Sequence, residues 1–215
     1  MKNTVFILKA VITYMFVLFQ FKKFISNGFS EINSIIFNTT IGKYALCIFY
    51  GYITLVFDND ILYNNWNEFV IIRRTSRLKW SLNCFKLIVI RQIEYVCLTT
   101  VCIYLSCIVF NVLLVVDKET IMCLALLLVY LIMENSFVLL LMSFFKKPSF
   151  SVFGGIVFNT AVLVITHTFG TDTMYYSKLF YCLLFLVFCT FFITVVNMNR
   201  CDVFINKNHT HVFEK

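Results

Sequence analysis

The chain has 215 residues, of which 60% are hydrophobic and only 13% are charged, and its formal net charge is +7. Nearly all of such a chain must lie in or on lipid, which excludes an ordinary soluble domain. The positive charge gives little support to a nucleic-acid partner. A protein that binds nucleic acid presents a basic face on a soluble fold, whereas the basic residues here stand in short segments between apolar runs.

Long runs without charge decide the fold class. Three of them contain no charged residue and a fourth contains one glutamate: Tyr95–Val116, Ser149–Thr171, Leu179–Asn199, and Thr120–Phe145 with Glu134. A helix needs roughly 20 apolar residues to cross the hydrocarbon core of a bilayer. Only helices and closed barrels satisfy the backbone in lipid, and these runs lack the alternation of barrel strands. The sequence therefore predicts an all-α, polytopic transmembrane helical bundle, with residues 1–215 forming a single domain.

About six spans are predicted in chain order. They are Thr4–Phe21, a second span within Asn38–Leu62, Gln92–Val116, Ile121–Phe145, Phe150–Phe169 and Leu179–Asn199. We expect the first to be a retained span rather than a cleaved signal peptide, because no small-x-small cleavage site follows it. The N-terminus and the tail at 200–215 are predicted to be cytoplasmic, since this orientation puts twice as many Lys and Arg residues on the cytoplasmic side as on the other. The expected location is the cell membrane, crossed several times.

The longest polar-rich segment, residues 63–91, joins the second and third predicted spans on the cytoplasmic side. Its first part predicts a short helix with the aromatic residues Trp66 and Phe69 on one face and Glu68 near the start, where the helix dipole favours an acidic residue. Arginines Arg73, Arg74 and Arg77 follow. Tryptophan and arginine are over-represented at the anchor positions of protein interfaces, so this part of the segment is a candidate docking element.

The second part of the segment predicts an amphipathic helix that begins at Ser76 and runs directly into the third span. Leucines, a phenylalanine and a valine form one stripe, and lysines lie opposite, which is typical of a helix at the membrane surface. The candidate interfacial residues are Trp80, Lys86 and Arg91. An ordinary basic loop followed by an interfacial helix remains the alternative interpretation of the whole segment.

The order Glu68, apolar Phe69–Ile72, Ser76-Arg77 and then Lys86, together with six spans, resembles the permease subunits of type-2 ABC transporters. The chain departs from the family pattern at Phe69, where glycine is usual, and in a longer interval between Arg77 and Lys86. The resemblance implies a coupling helix that docks a separate ABC ATPase. It assigns to that contact the residues Trp66, Glu68, Phe69, Arg73, Arg74 and Arg77.

The same resemblance implies further partners. Six spans are half of a usual ABC pore, so a second permease copy or a paralogue is expected. The chain contains no G-x-x-x-x-G-K-[ST] phosphate loop, so ATP and Mg²⁺ are expected on the partner ATPase, with no cofactor in this chain. The expected substrate is hydrophobic or amphipathic, for example an antimicrobial peptide or a lipid.

Glu134 stands near the middle of the fourth predicted span. A carboxylate at this depth is costly and usually faces the interior of a bundle, a partner or a cavity, so Glu134 is the candidate functional residue within the membrane. The alternative is a structural glutamate at a contact between helices or subunits. His209 and His211 are too few for a metal site, and none is predicted.

Three other functions were weighed. An intramembrane protease needs a nucleophile with a base, paired carboxylates or a metal motif; the chain has no H-E-x-x-H and no histidine before His167, so no catalytic residue is predicted. A substrate-binding subunit of a vitamin importer is expected to carry an Ala-x-x-x-Ala pattern in its first span. The first predicted span of this chain contains only one alanine, Ala10. A non-transporting immunity or assembly protein of the membrane stays open.

Overall fold

A computed structural model describes residues 2–26, 77–112, 118–145, 148–169 and 173–210. The described residues form five helices. In chain order these are α1 (Lys2–Ser26), α2 (Arg77–Val109), α3 (Lys118–Phe145), α4 (Pro148–Phe169) and α5 (Thr173–Thr210). Within these ranges there is no β-strand. The prediction of an all-α chain is thus confirmed for the part of the chain that the structure describes.

The helices coincide with five of the six predicted spans. Three stretches are long and apolar enough to cross a membrane: Ser81–Val109, Thr120–Phe145 and Lys178–Asn197. They indicate a helical membrane protein. Helix α4 contributes a shorter apolar stretch, and α5 continues beyond its predicted span into the tail. The second predicted span lies outside the described residues.

Helix α2 ends at Val109, well before the predicted end of the third span at Val116. The reason is a local hydrogen-bond pattern rather than a loss of hydrophobic residues. The Val112 N–H donates to the Cys107 carbonyl at 2.9 Å, and the Asn111 N–H donates to the Ile108 carbonyl at 3.2 Å. These two bonds form a Schellman motif, which needs one residue in the left-handed region. Asn111 occupies it with φ of 53°.

Helix α3 lies at the centre of the bundle and contacts α2, α4 and α5. Its sequence is apolar around the whole circumference, as expected of a helix that is buried on every side. About 67% of its apolar stretch is buried, against 39% for α2 and 22% for α5. Helix α3 is therefore the most enclosed of these three helices.

Two ring contacts give the relative direction of α1 and α2. The Lys9 ammonium lies 5.1 Å from the centroid of the Tyr95 ring, and farther along both helices the rings of Phe21 and Phe110 are 6.4 Å apart. The contacts advance together along both chains, so the two helices are parallel. Their N-terminal ends therefore lie at the same end of the bundle. The predicted topology requires this arrangement, because it places the starts of the first and third spans on one side.

Helices α3 and α4 pack antiparallel over most of the length of α4. The rings of Phe137 and Phe158 stack with centroids 5.0 Å apart. A Cβ atom at Gly154 would overlap the Leu141 side chain, so glycine permits the two helices to approach closely at this level. Helix α5 joins α3 from another side, where the Asn197 Nδ2 donates to the Ser143 Oγ at 3.0 Å.

The cap of α2 yields a stability prediction. Asn111→Val puts a β-branched side chain into the left-handed region and should lower the free energy of unfolding by about 1–2 kcal/mol. Asn111→Gly, which adopts this conformation without strain, should leave stability nearly unchanged. Unfolding of the purified protein in mixed micelles of increasing sodium dodecyl sulfate measures both. Equal stability of the two variants would contradict the role given to the cap.

Candidate functional site

Three hydrogen-bonded polar side chains connect α3 and α4 at the centre of the bundle. The Asn159 Nδ2 donates to the Glu134 Oε1 at 2.6 Å. The Tyr130 hydroxyl donates to the Asn159 Oδ1 at 2.5 Å. Glu134 and Asn159 have no solvent exposure and Tyr130 has 2%. One asparagine thus bonds two residues of the neighbouring helix in a region that is closed to solvent.

Helix geometry explains why one asparagine reaches both partners. Tyr130 and Glu134 are four residues apart and therefore lie one above the other on the same face of α3. Asn159 faces them from α4 with both ends of its amide, since an asparagine side chain carries one acceptor oxygen and one donor nitrogen. The donor meets the carboxyl group and the acceptor meets the hydroxyl, so the amide orientation follows from its two partners.

The register of the α3–α4 pair follows from the short connection. Only Lys146 and Lys147 separate the end of α3 from the start of α4. In an antiparallel pair with so short a link, residues equally far from the link lie at the same level. Glu134 and Asn159 satisfy this condition, because one precedes the end of α3 by as many residues as the other follows the start of α4.

The second carboxyl oxygen of Glu134 is not satisfied. The Oε2 atom is buried and has no hydrogen-bond partner among the described residues. A buried polar atom without a partner is rare in proteins and costs free energy. The arrangement therefore offers one unused acceptor inside the bundle, which can take a hydrogen bond from a donor or a cationic group. In the described part of the chain, no three His, Cys, Asp or Glu residues are grouped to hold a metal ion.

Several other buried polar side chains in the bundle bond only to their own helix. The Thr194 hydroxyl donates to the Thr190 carbonyl at 2.7 Å, and the Asn135 Nδ2 donates to the Leu131 carbonyl at 3.0 Å. Such bonds to the preceding turn satisfy a polar group locally and join nothing to a second helix. The two hydrogen bonds of Asn159, by contrast, connect α4 to α3.

The predicted docking residues Trp66, Glu68, Phe69, Arg73 and Arg74 lie outside the described residues. The remaining one of that set, Arg77, begins α2, and Trp80 lies in the first turn of the same helix.

Two of the predicted interfacial residues, Lys86 and Arg91, are at the surface of α2. Lys86 is exposed. The Arg91 Nη1 donates to the Glu94 Oε2 at 2.9 Å, with the two side chains 43% and 50% exposed. Arg91 therefore pairs within its own helix and not with the buried Glu134 of α3.

Sequence reasoning identified Glu134 but missed Asn159 and Tyr130. Asn159 is the one residue with an amide side chain in its predicted span, Phe150–Phe169, and its distance from the Lys146-Lys147 link equals that of Glu134. These two facts together predict the contact. Tyr130 could have been found next, as a hydroxyl one helical turn from a buried carboxyl group.

Removing the shared partner should destabilise the bundle. Asn159→Leu deprives the Glu134 Oε1 of its donor and the Tyr130 hydroxyl of this acceptor, and should lower the free energy of unfolding by about 3 kcal/mol. Glu134→Gln keeps an acceptor oxygen for Asn159 and should cost less than about 1 kcal/mol. Unfolding in dodecyl sulfate micelles measures both changes.

A double variant checks the cause of this loss. Glu134→Leu combined with Asn159→Leu removes both partners, so it should be more stable than Asn159→Leu alone, because no buried carboxyl group is left unpaired. If the double variant is the less stable of the two, the hydrogen bond between α3 and α4 is not what holds these helices in register.

Comparison with known proteins finds no matching family model, no matching curated protein and no matching solved structure.

Proposed function

We propose that this chain is the permease subunit of an ABC transporter, a multi-pass protein of the cell membrane that moves a hydrophobic or amphipathic substrate. The observation that carries the proposal is the position of α2 relative to the docking motif. The motif ends at Arg77, and α2 begins at that residue and continues for 33 residues without a break. A displacement applied at the docking segment thus has a rigid element through which to reach the bundle.

Contacts of α2 support this mechanical role. The helix packs against α1, α3 and α5. The rings of Phe85 on α2 and Phe191 on α5 are 4.8 Å apart. Interlocked aromatic side chains move together because protein interiors are densely packed. A shift of α2 along or about its axis would therefore be passed to α5 and to the central helix α3.

In this proposal, Glu134 is the residue within the membrane that pairs with the substrate or with a second permease copy. Its unused Oε2 atom is buried on the central helix, so a donor or cationic group of an amphipathic substrate, or of a second permease copy, can pair with it once the surrounding helices move apart. A second copy or a paralogue completes the pore. The energy comes from ATP bound with Mg²⁺ to a separate ATPase.

The docking assignment predicts the effect of losing one aromatic anchor. Trp66→Ala should weaken co-purification with the ATPase by roughly thirtyfold in affinity, because a buried aromatic anchor commonly contributes 2 kcal/mol or more. The matched control is Lys147→Ala in the other short basic segment, which should change the affinity less. Co-purification and coupled ATP hydrolysis are the measurements.

The combined variant Trp66→Ala with Glu68→Ala decides between transport and the alternative of a non-transporting membrane protein. Loss of the complex with normal insertion supports docking. An unchanged complex and an unchanged ATPase rate would show that residues 63–91 are an ordinary interfacial segment.

A second prediction concerns transport itself. Glu134→Gln keeps the oxygen that accepts from Asn159 but removes the ability to carry a negative charge, so the variant should insert, assemble and transport poorly. Asn135→Ala, one residue away and bonded to its own helix, serves as the control and should transport normally. Transport is measured in vesicles that contain the permease and its ATPase. Full transport by Glu134→Gln would give the residue a purely structural role.

A further inference from the structure

A small apolar cluster lies where α2, α3 and α4 meet. Its buried members are on α2 and α3, and two residues of α4 pack against them: Cys84, Ile88, Val138, Leu139 and Met142, with Val152 and Ile156. Helix α3 is antiparallel to α4, and to α2 as well, because only residues 110–117 join α2 to α3. In the same direction along the bundle, the next turn of each helix carries a polar residue: Gln92 on α2, Glu134 on α3 and Asn159 on α4. Residues three or four apart share a helix face, so these side chains form a polar layer next to the cluster.

Two side chains of this polar layer have oxygens that the described residues leave unsatisfied. The Gln92 Oε1 and the Glu134 Oε2 are buried and have no hydrogen-bond partner among those residues. The two side chains are 1% and 0% exposed. Each such atom costs free energy. Because both atoms are acceptors and belong to neighbouring helices at one level, a single donor group can satisfy both.

The charge of the polar layer indicates which kind of donor fits. Within the described residues, Glu134 pairs with no cationic side chain. Arg91, which adjoins Gln92 in the sequence, is exposed and pairs with Glu94 instead. A cation that carries N–H donors therefore complements both unused oxygens. A divalent metal ion takes about six to eight oxygen ligands, whereas an ammonium group has three N–H donors and can use two of them here.

We propose that Gln92 and Glu134 together bind the primary ammonium group of an amphipathic substrate, with one N–H on each unused oxygen. The inference rests on the function proposed above, because it names the head group of the transported molecule and adds Gln92 to the residue already assigned. Both oxygens are closed to solvent, so the ammonium group enters when the helices separate.

The purified permease without an ATPase is the sample for the test. Equilibrium dialysis with radiolabelled decylammonium in dodecyl maltoside measures binding, and micelles without protein give the partition into detergent that is subtracted. We expect saturable binding. Decyltrimethylammonium has the same charge and the same chain but no N–H donor, so it should bind roughly thirtyfold more weakly.

Variants show whether both oxygens belong to the site. Glu134→Gln should weaken decylammonium binding by roughly thirtyfold and Gln92→Leu by roughly tenfold. Gln92→Leu also removes an unsatisfied buried acceptor, so its stability in dodecyl sulfate micelles should equal or exceed that of the parent protein. A purely structural Gln92 would instead lower stability when replaced. The matched control is Thr99→Val on the same helix, because the Thr99 hydroxyl donates to the Tyr95 carbonyl at 2.8 Å; it should bind like the parent protein.

Three results would overturn the proposal. Equal binding of decylammonium and decyltrimethylammonium would show that N–H donors are not recognised. Displacement of decylammonium by an equal concentration of sodium ions would assign the oxygens to a bare cation. Unchanged binding by Gln92→Leu would remove this residue from the site.

Co-purification with the ATPase separates this inference from the proposed function. A permease that binds no decylammonium but still forms the ATPase complex contradicts only the ammonium site. A permease that binds decylammonium but forms no ATPase complex contradicts the proposed function and leaves the ammonium site in place.

Discussion

The hydrogen bond between Asn159 and Glu134 fixes α4 against α3, the helix that contacts most of the others in the described bundle. A carboxyl group in the middle of an apolar helix has no water to solvate it, so a neighbouring helix must supply a donor. Helix α4 does so with one amide, which also accepts from Tyr130. A buried carboxyl group is stable only where it is shielded from lipid, and the helix that carries Glu134 contacts α2, α4 and α5.

The other helices differ in which side chains they leave exposed. Helix α5 buries only 22% of its apolar stretch and leaves large aromatic side chains such as Phe185 and Phe188 exposed. In water such a surface would be unfavourable, but in a bilayer lipid tails cover it without a penalty. Helix α2, by contrast, carries charged residues as far as Glu94, which pairs with Arg91 at the surface, and carries none from 95 to 109.

Sequence patterns and structure agree where a single physical rule acts alone. Charge-free length predicts the helices, because the rise per residue and the thickness of the bilayer leave no alternative. The patterns were less accurate where two rules compete. The apolar run after Tyr95 continues to Val116, yet α2 ends at Val109 because Asn111 adopts the left-handed conformation of a helix cap. A local backbone bond decided that boundary, and hydropathy does not report such bonds.

The sequence by itself determined that the chain is helical, that it suits a membrane, and that Glu134 is the residue to explain, since each follows from composition along one segment. Only the tertiary structure decided that Asn159 is the partner of Glu134, that one carboxyl oxygen stays unused, and that α1 and α2 run in the same direction. These features depend on which faces of separate helices meet. A sequence pattern shows which residues share one face of a helix. Only the packing of the helices shows which face of another helix lies against it.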